Sequence, residues 1–323
     1  MSFWSTHFAL LKIEFWYLVV SGITTGFLYG MVAVGYTMVY GILRLINFAH
    51  SEIFMTGAFA GYFLMREFVG NNTPSGVQSI LLILGGIAVG AMASSLMAAF
   101  VLERVAYRPL RKRKAPPLAY LISAIGASYF LQNLAGKEFG RNPIAVPQPY
   151  GNANVFTVFG APFNQYDLLV VIAGIISLVA LDIIVSRTKL GRSLRAVAQD
   201  METASLMGVD IDRTIMYTFL IGGAMAGAAG FLWGLNSNVG STMGFVPGIK
   251  AFTSAVLGGI GNLRGAMLGG MILGIVENLA QPFVSSAYID VVAFAILVGL
   301  LMFRPTGHHG DESRDGEETG EVS

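Results

Sequence analysis

The sequence predicts an all-α fold, a polytopic bundle of transmembrane helices, and three observations carry that prediction. Of 323 residues, 54% are hydrophobic and only 12% are charged, where a soluble domain carries about 25% charged residues. The charges are clustered, and the apolar stretches between them approach the ~20 residues that a helix needs to cross a bilayer core. Glycine reaches 40 residues, in keeping with its higher frequency in membrane helices.

The elements follow in order. Residues 1–16 have no basic stretch and no small-residue cleavage site, so they are not a signal peptide. Phe3, Trp4, Phe8, Phe15 and Trp16 predict an aromatic interfacial segment instead. One membrane domain, 17–305, follows, with apolar runs at 17–43, 53–68, 77–102, 118–135, 166–185, 215–236, 245–260, 266–280 and 287–303. The run 53–68 and the three after residue 245 are short, which predicts about 8–9 spans, some of them short or broken. Residues 136–165 form an external loop rich in Pro, Asn and Gly, a composition that suits strands and turns. Residues 306–323 are acidic and Gly/Ser-rich, as expected of a disordered solubilising tail.

Orientation follows from the basic residues flanking the runs. With nine spans, the loops 103–117 and 186–213 fall on one side with Arg44, Arg264, Arg304 and Arg314, collecting fifteen Lys and Arg against four on the other. The N-terminus is therefore expected outside and the C-terminus in the cytoplasm. Gly222, Ala226, Gly230 and Gly234 recur every fourth residue, with Gly265/Gly269 and Gly270/Gly274 repeating the spacing. That stripe means tight helix packing first, and sliding between helices second.

Several chemistries are excluded. Without Cys there is no disulfide, thiolate metal site or Cys nucleophile. No Walker A, His-Glu-x-x-His or Gly-x-Ser-x-Gly pattern occurs, so any ATP that drives this chain is hydrolysed elsewhere. Neither a cofactor nor a metal is expected.

Ionisable residues inside spans are costly and point to function. His50 and Glu52 open the second run, Asn47 and Arg44 interrupt the apolar sequence just before it, and Asn47, His50 and Glu52 are expected to line a translocation pathway. Lys250 and Glu277 lie on neighbouring short runs, where they are expected to line a translocation pathway or to pair with each other. His50 is read either as a hydrogen-bonded helix cap or as a pathway residue. Asp182 and Asp290 are near span ends and within reach of the interface. The segment 258–265, with Asn262 and Arg264, is a second broken stretch, a feature of transporter pathways.

The cytoplasmic loop 190–212 carries a short amphipathic helix with Ala196, Val197, Ala204, Leu206 and Met207 apolar, Asp200 polar, and Gly208 as its C-cap. Such a helix either docks in a partner's groove or lies on the membrane surface.

At this loop the sequence resembles a known family. Gly191-Arg192-Ser193-Leu194-Arg195-Ala196-Val197-Ala198-Gln199-Asp200, with Ala204 and Met207-Gly208-Val209-Asp210, is similar to the coupling loop of permeases in branched-chain amino acid ABC importers. Three more stretches agree in the same order: Gly35-Tyr36-Thr37-Met38-Val39-Tyr40-Gly41 continuing to His50, Glu103 to Arg111, and Leu257 to Ala266. The resemblance is to the LivH-like type and covers roughly residues 21–305. It departs at Ser51-Glu52, where the family expectation is Gly and then an acid or polar residue.

The resemblance implies partners: two cytoplasmic ATPase subunits, a second, LivM-like permease and an external solute-binding protein. Membrane lipid surrounds the chain, and no nucleic acid is involved. It implies import of branched-chain amino acids without catalysis by this chain, with Ala196, Asp200, Ala204, Met207 and Gly208 at the ATPase contact. Relatives that carry urea or short amides keep a second solute class open. A third reading, an ion-coupled secondary transporter, rests on Glu277 and Lys250.

Overall fold

In the computed structural model, residues 3–45, 47–69, 74, 76–150, 154–285 and 288–303 are described, with side chains from residue 14 to 300 and at Met302. The tail 306–323 lies outside the described residues. α1 (Phe3–Leu43) is one continuous helix with no break at residue 16. α2 (His50–Val69) follows after a short turn. α3 (Val77–Leu96) runs on through a π-helical segment (Met97–Tyr107) into α4 (Arg108–Lys112), and α5 (Pro117–Glu138) returns.

Most of the segment 103–117, read from the sequence as a loop, is therefore helical as far as Lys112. Its Arg, Lys and Glu residues are good helix formers, and Arg111 pairs with Glu103 at 2.9 Å, eight residues back along it.

The segment 136–165 carries the strands and turns that its composition suits. β1 (Asn154–Val158) and β2 (Ala161–Asn164) form an antiparallel hairpin closed by Phe159 and Gly160, both at positive φ. Two positive-φ residues are what a tight right-twisted hairpin turn demands. α6 (Gln165–Arg187) starts at a reciprocal cap between Asn164 and Asp167.

The amphipathic helix expected in the loop 190–212 is two helices, not one. α7 (Lys189–Gln199) ends at Asp200, whose extended backbone and side chain cap α8 (Met201–Leu206). An Asp in mid-run competes for backbone N–H groups and restarts the helix. Gly208 does end the run: at φ 84 it lets its own N–H and that of Val209 reach the carbonyls of Ser205 and Ala204, the paired bonds of a left-handed helix terminus. α9 (Ile211–Asn236), α10 (Phe245–Gly258), α11 (Leu263–Ala280) and α12 (Ile289–Phe303) complete the chain.

Six helices among the described residues are long and apolar enough to cross a membrane: Glu14–Leu43, Val77–Lys112, Pro117–Glu138, Gln165–Arg187, Ile211–Asn236 and Leu263–Ala280. The expected count of 8–9 is not reached on that criterion. α10 and the apolar part of α12 are too short, and α2 is diluted by Glu52, Arg66 and Glu67.

The most apolar windows of Glu14–Leu43 and Ile211–Asn236 are 78% and 72% buried, against 17–22% for Val77–Lys112, Pro117–Glu138 and Gln165–Arg187. α1 and α9 are thus the central pillars. Glycine makes this possible. A Cβ on Gly26 would stand 2.6 Å from Met271 Cα, and one on Gly22 would stand 2.7 Å from Ile275 Cα, so α1 and α11 touch backbone to backbone. Gly57 and Gly227 do the same for α2 and α9. In lipid, where apolar burial gives no advantage between helices, such close packing supplies the contact energy.

Candidate functional site

α1 ends where Arg44 turns to φ 51. Asn47 then starts α2: its Oδ1 accepts the Ala49 N–H at 3.1 Å and the Tyr107 hydroxyl at 2.8 Å. The cap read onto His50 therefore belongs to Asn47. His50 is buried against Tyr36, ring centroids 4.6 Å apart, in space left by Gly35, where a Cβ would stand 2.5 Å from Nε2. Glu52, in the first turn of α2, is 1% exposed, and its Oε1 accepts from Ser51 at 3.3 Å and Ser128 at 3.1 Å.

Six buried side-chain atoms among the described residues lack a hydrogen-bond partner within the chain, and four of them, Thr37 Oγ1, Asn47 Nδ2, His50 Nε2 and Glu52 Oε2, fall in the stretch 37–52. Orphaned buried polar atoms are rare and call for an explanation.

Glu52 lines a cavity of about 370 Å³ between α2, α5 and α10, with Tyr36, Phe48, Ser128, Tyr129, Gln132 and Phe252 among its walls. It has the size and composition of a small-molecule site, an apolar surface with few polar groups. The first turns of α2 and α10 meet at its edge: Gly244 and Gly248 leave no room for a Cβ against Ser51. Two helix N-termini, each with its partial positive charge, thus lie side by side, and that of α10 has no side-chain cap.

Lys250 and Glu277 do pair, with Nζ 2.5 Å from Oε1, but they are not alone. Asp290 Oδ1 lies 2.6 Å from the same Nζ, and the Tyr29 ring lies 5.6 Å beneath it. Asp290, expected at the interface, closes a four-helix network that joins α1, α10, α11 and α12. Neither Lys250 nor Glu277 lines the cavity at Glu52. The five pathway candidates thus separate into Asn47, His50 and Glu52 at one place and Lys250 and Glu277 at another. Asp182 holds Arg264 at 2.9 and 3.0 Å, tying α6 to α11.

In the loop 190–212, Ala204 is buried and Ala196 half-buried against the chain's own helices, while Leu206 and Met207 are 84% and 80% exposed. Any partner meets Leu206 and Met207 rather than Ala204. Asp200 is fully exposed, and the Thr203 hydroxyl and the Glu202 N–H hold its carboxyl below the usual range. Just beyond, Asp212 in the first turn of α9 receives Arg108 at 2.8 Å and Arg111 at 2.5 Å.

Sequence reasoning missed Tyr107, Ser128 and Asp212. Tyr107 and the Arg108–Arg111 pair lie inside a quoted family stretch, yet nothing local names their partners 60 to 104 residues away. Ser128 is one small polar residue among many.

The family model of the branched-chain amino acid transport system permease component matches residues 18–301. The chain belongs to this family. The LivH permease of the high-affinity branched-chain amino acid transport system of Escherichia coli K12 is 41% identical over 291 residues, covering 89% of this chain and 92% of that protein. The corresponding permease BraD of Pseudomonas aeruginosa is 39% identical over 293 residues, covering 89% and 93%. A probable LivH of Methanocaldococcus jannaschii is 26% identical over 291 residues, covering 87% and 88%.

Proposed function

We propose that this chain is the membrane-spanning permease subunit of an ATP-driven importer of branched-chain amino acids. The observation that carries the reading, beside the family, is the cavity at Glu52. Its Oε2 has no partner within the chain, so an arriving ammonium group would supply one, in a charge-assisted hydrogen bond. The converging N-termini of α2 and α10 suit the solute's carboxylate. Phe48, Ile125 and Phe252 offer the apolar wall that an aliphatic side chain needs. A second permease, LivM-like, would close the cavity from the α5 and α10 side. Nine helical passes, the N-terminus outside and the C-terminus in the cytoplasm, fit the excess of basic residues at 103–117 and 186–213.

ATP is hydrolysed by two separate cytoplasmic subunits that grip Leu206 and Met207. Movement there reaches the cavity through the ion pairs of Asp212 with Arg108 and Arg111, then the π segment, then Tyr107 to Asn47 at the head of α2. π-helical turns concentrate at functional sites, and this one carries both Glu103 and Tyr107. An external binding protein delivers the solute.

The test is reconstitution of the chain with its ATPases, second permease and binding protein in liposomes. Leucine uptake that requires ATP is expected, and uptake of urea in its place would overturn the solute. Leu206→Asp with Met207→Asp should abolish co-elution of the ATPases, because burying each side chain contributes about 1.5–3 kcal/mol. Unchanged co-elution would place the contact elsewhere.

A further inference from the structure

A second cavity, of about 200 Å³, is enclosed by α1, the start of α6 and the end of α9, and shares no lining residue with the one at Glu52. Its walls are polar and aromatic: Asp167, Thr24, Tyr150, Tyr166, Trp233 and Asn236 are among them, and no Lys, Arg or His is. Asp167 accepts from the Thr24 hydroxyl at 2.9 Å and from the Asn164 N–H at 3.1 Å. Both donors are neutral, and among the described residues no Lys or Arg forms an ion pair with it.

Asp167 is a cap for α6, but a cap needs an acceptor and not a charge. A carboxylate at this third position of the helix gains from the partial positive charge of the N-terminus, but that gain offsets only part of its charge. The surrounding charge does not cancel it. The N-terminus of α6 contributes about +0.5 and the C-terminus of α9 about −0.5, leaving a local charge close to −1. α9 has no basic residue in its last turn to offset its own end. The rings add to this. Tyr150 and Tyr166 stack 6.3 Å apart, and the faces of Tyr and Trp attract cations.

We propose that this cavity binds a primary ammonium group, with Asp167 as its counter-charge and Tyr150, Tyr166 and Trp233 as its walls. The volume suits an ammonium carrying a short substituent. The group can arrive on a soluble amine or on an ethanolamine lipid headgroup, since the chemistry at Asp167 is the same for both.

The experiment uses the full-length chain in phosphatidylglycerol nanodiscs, with methylammonium as the probe and Trp fluorescence as the readout. Trp233 lines the cavity, so Trp233→Phe identifies its share of the signal. Saturable quenching by methylammonium is expected, at least tenfold weaker in Asp167→Asn and largely kept in Asp167→Glu. Asp167→Asn retains the cap, and an unchanged unfolding temperature confirms that the variant is folded. Equal responses in wild type and Asp167→Asn, or an equal response to potassium chloride, would overturn the proposal. Repeating the titration in phosphatidylethanolamine nanodiscs separates the sources. A weaker apparent methylammonium affinity assigns the site to the lipid headgroup, and an unchanged one assigns it to a soluble amine.

Discussion

Two buried polar regions of this permease look alike in sequence and differ in how far their groups are satisfied. Around Lys250, one cation meets two carboxylates and a ring, four helices converge on it, and a single atom, Glu277 Oε2, keeps no partner. Around Glu52, by contrast, Thr37, Asn47, His50 and Glu52 itself each keep an atom without a partner in the chain, and Glu52 lines an open cavity. A folded chain tolerates such loose ends at a cost of about 1–3 kcal/mol each. The Lys250 network reads as architecture, and the Glu52 region as a place prepared for something that comes and goes. An in-membrane ionisable residue is therefore a functional signal only after its partners are known.

The largest expected effect tests the architectural half. Lys250→Met leaves Glu277 and Asp290 buried or half-buried without a cation, and breaking a buried pair in this way costs about 3–5 kcal/mol. Thermal unfolding in detergent should show a large drop, or the variant should fail to accumulate in the membrane. Restoring balance with Lys250→Met, Glu277→Gln and Asp290→Asn together should recover most of the loss. A triple variant no more stable than the single one would mean that Lys250 acts by some other route.

The second effect should appear in transport rather than in stability. Glu52→Gln keeps acceptors for Ser51 and Ser128, so the unfolding temperature should stay near that of wild type. ATP-dependent leucine uptake should fall at least tenfold, the equivalent of about 1.4 kcal/mol. Wild-type uptake in this variant would erase the distinction between the two regions.

The smallest effect sharpens the boundary of the functional half. Tyr107→Phe removes one hydrogen bond to Asn47, worth about 1 kcal/mol, while the Ala49 N–H still holds the cap. If the π segment transmits movement to α2, hydrolysis should continue in this variant while uptake falls, so that more ATP is spent per solute. An unchanged ratio of hydrolysis to uptake would confine Tyr107 to a packing role.

Much of this protein was legible along the chain. Apolar runs between charge clusters located the helices because each membrane helix satisfies its own backbone and needs no distant partner. Gly208 as a terminus and the turn-rich segment 136–165 were legible for the same reason, since positive φ and local hydrogen bonds are settled within a few residues. The pairing of Lys250 with Glu277 followed from the cost of leaving either charge alone.

Only the tertiary structure decided the rest. It brought Asp290 to Lys250, Asp212 to Arg111 and Ser128 to Glu52, over separations of 40 to 101 residues. It turned Ala204 inward and left Leu206 and Met207 exposed. The difference is physical: helix formation answers to neighbours three and four residues away, whereas a polar group's partner and a cavity's wall are set by which helices glycine allows to touch.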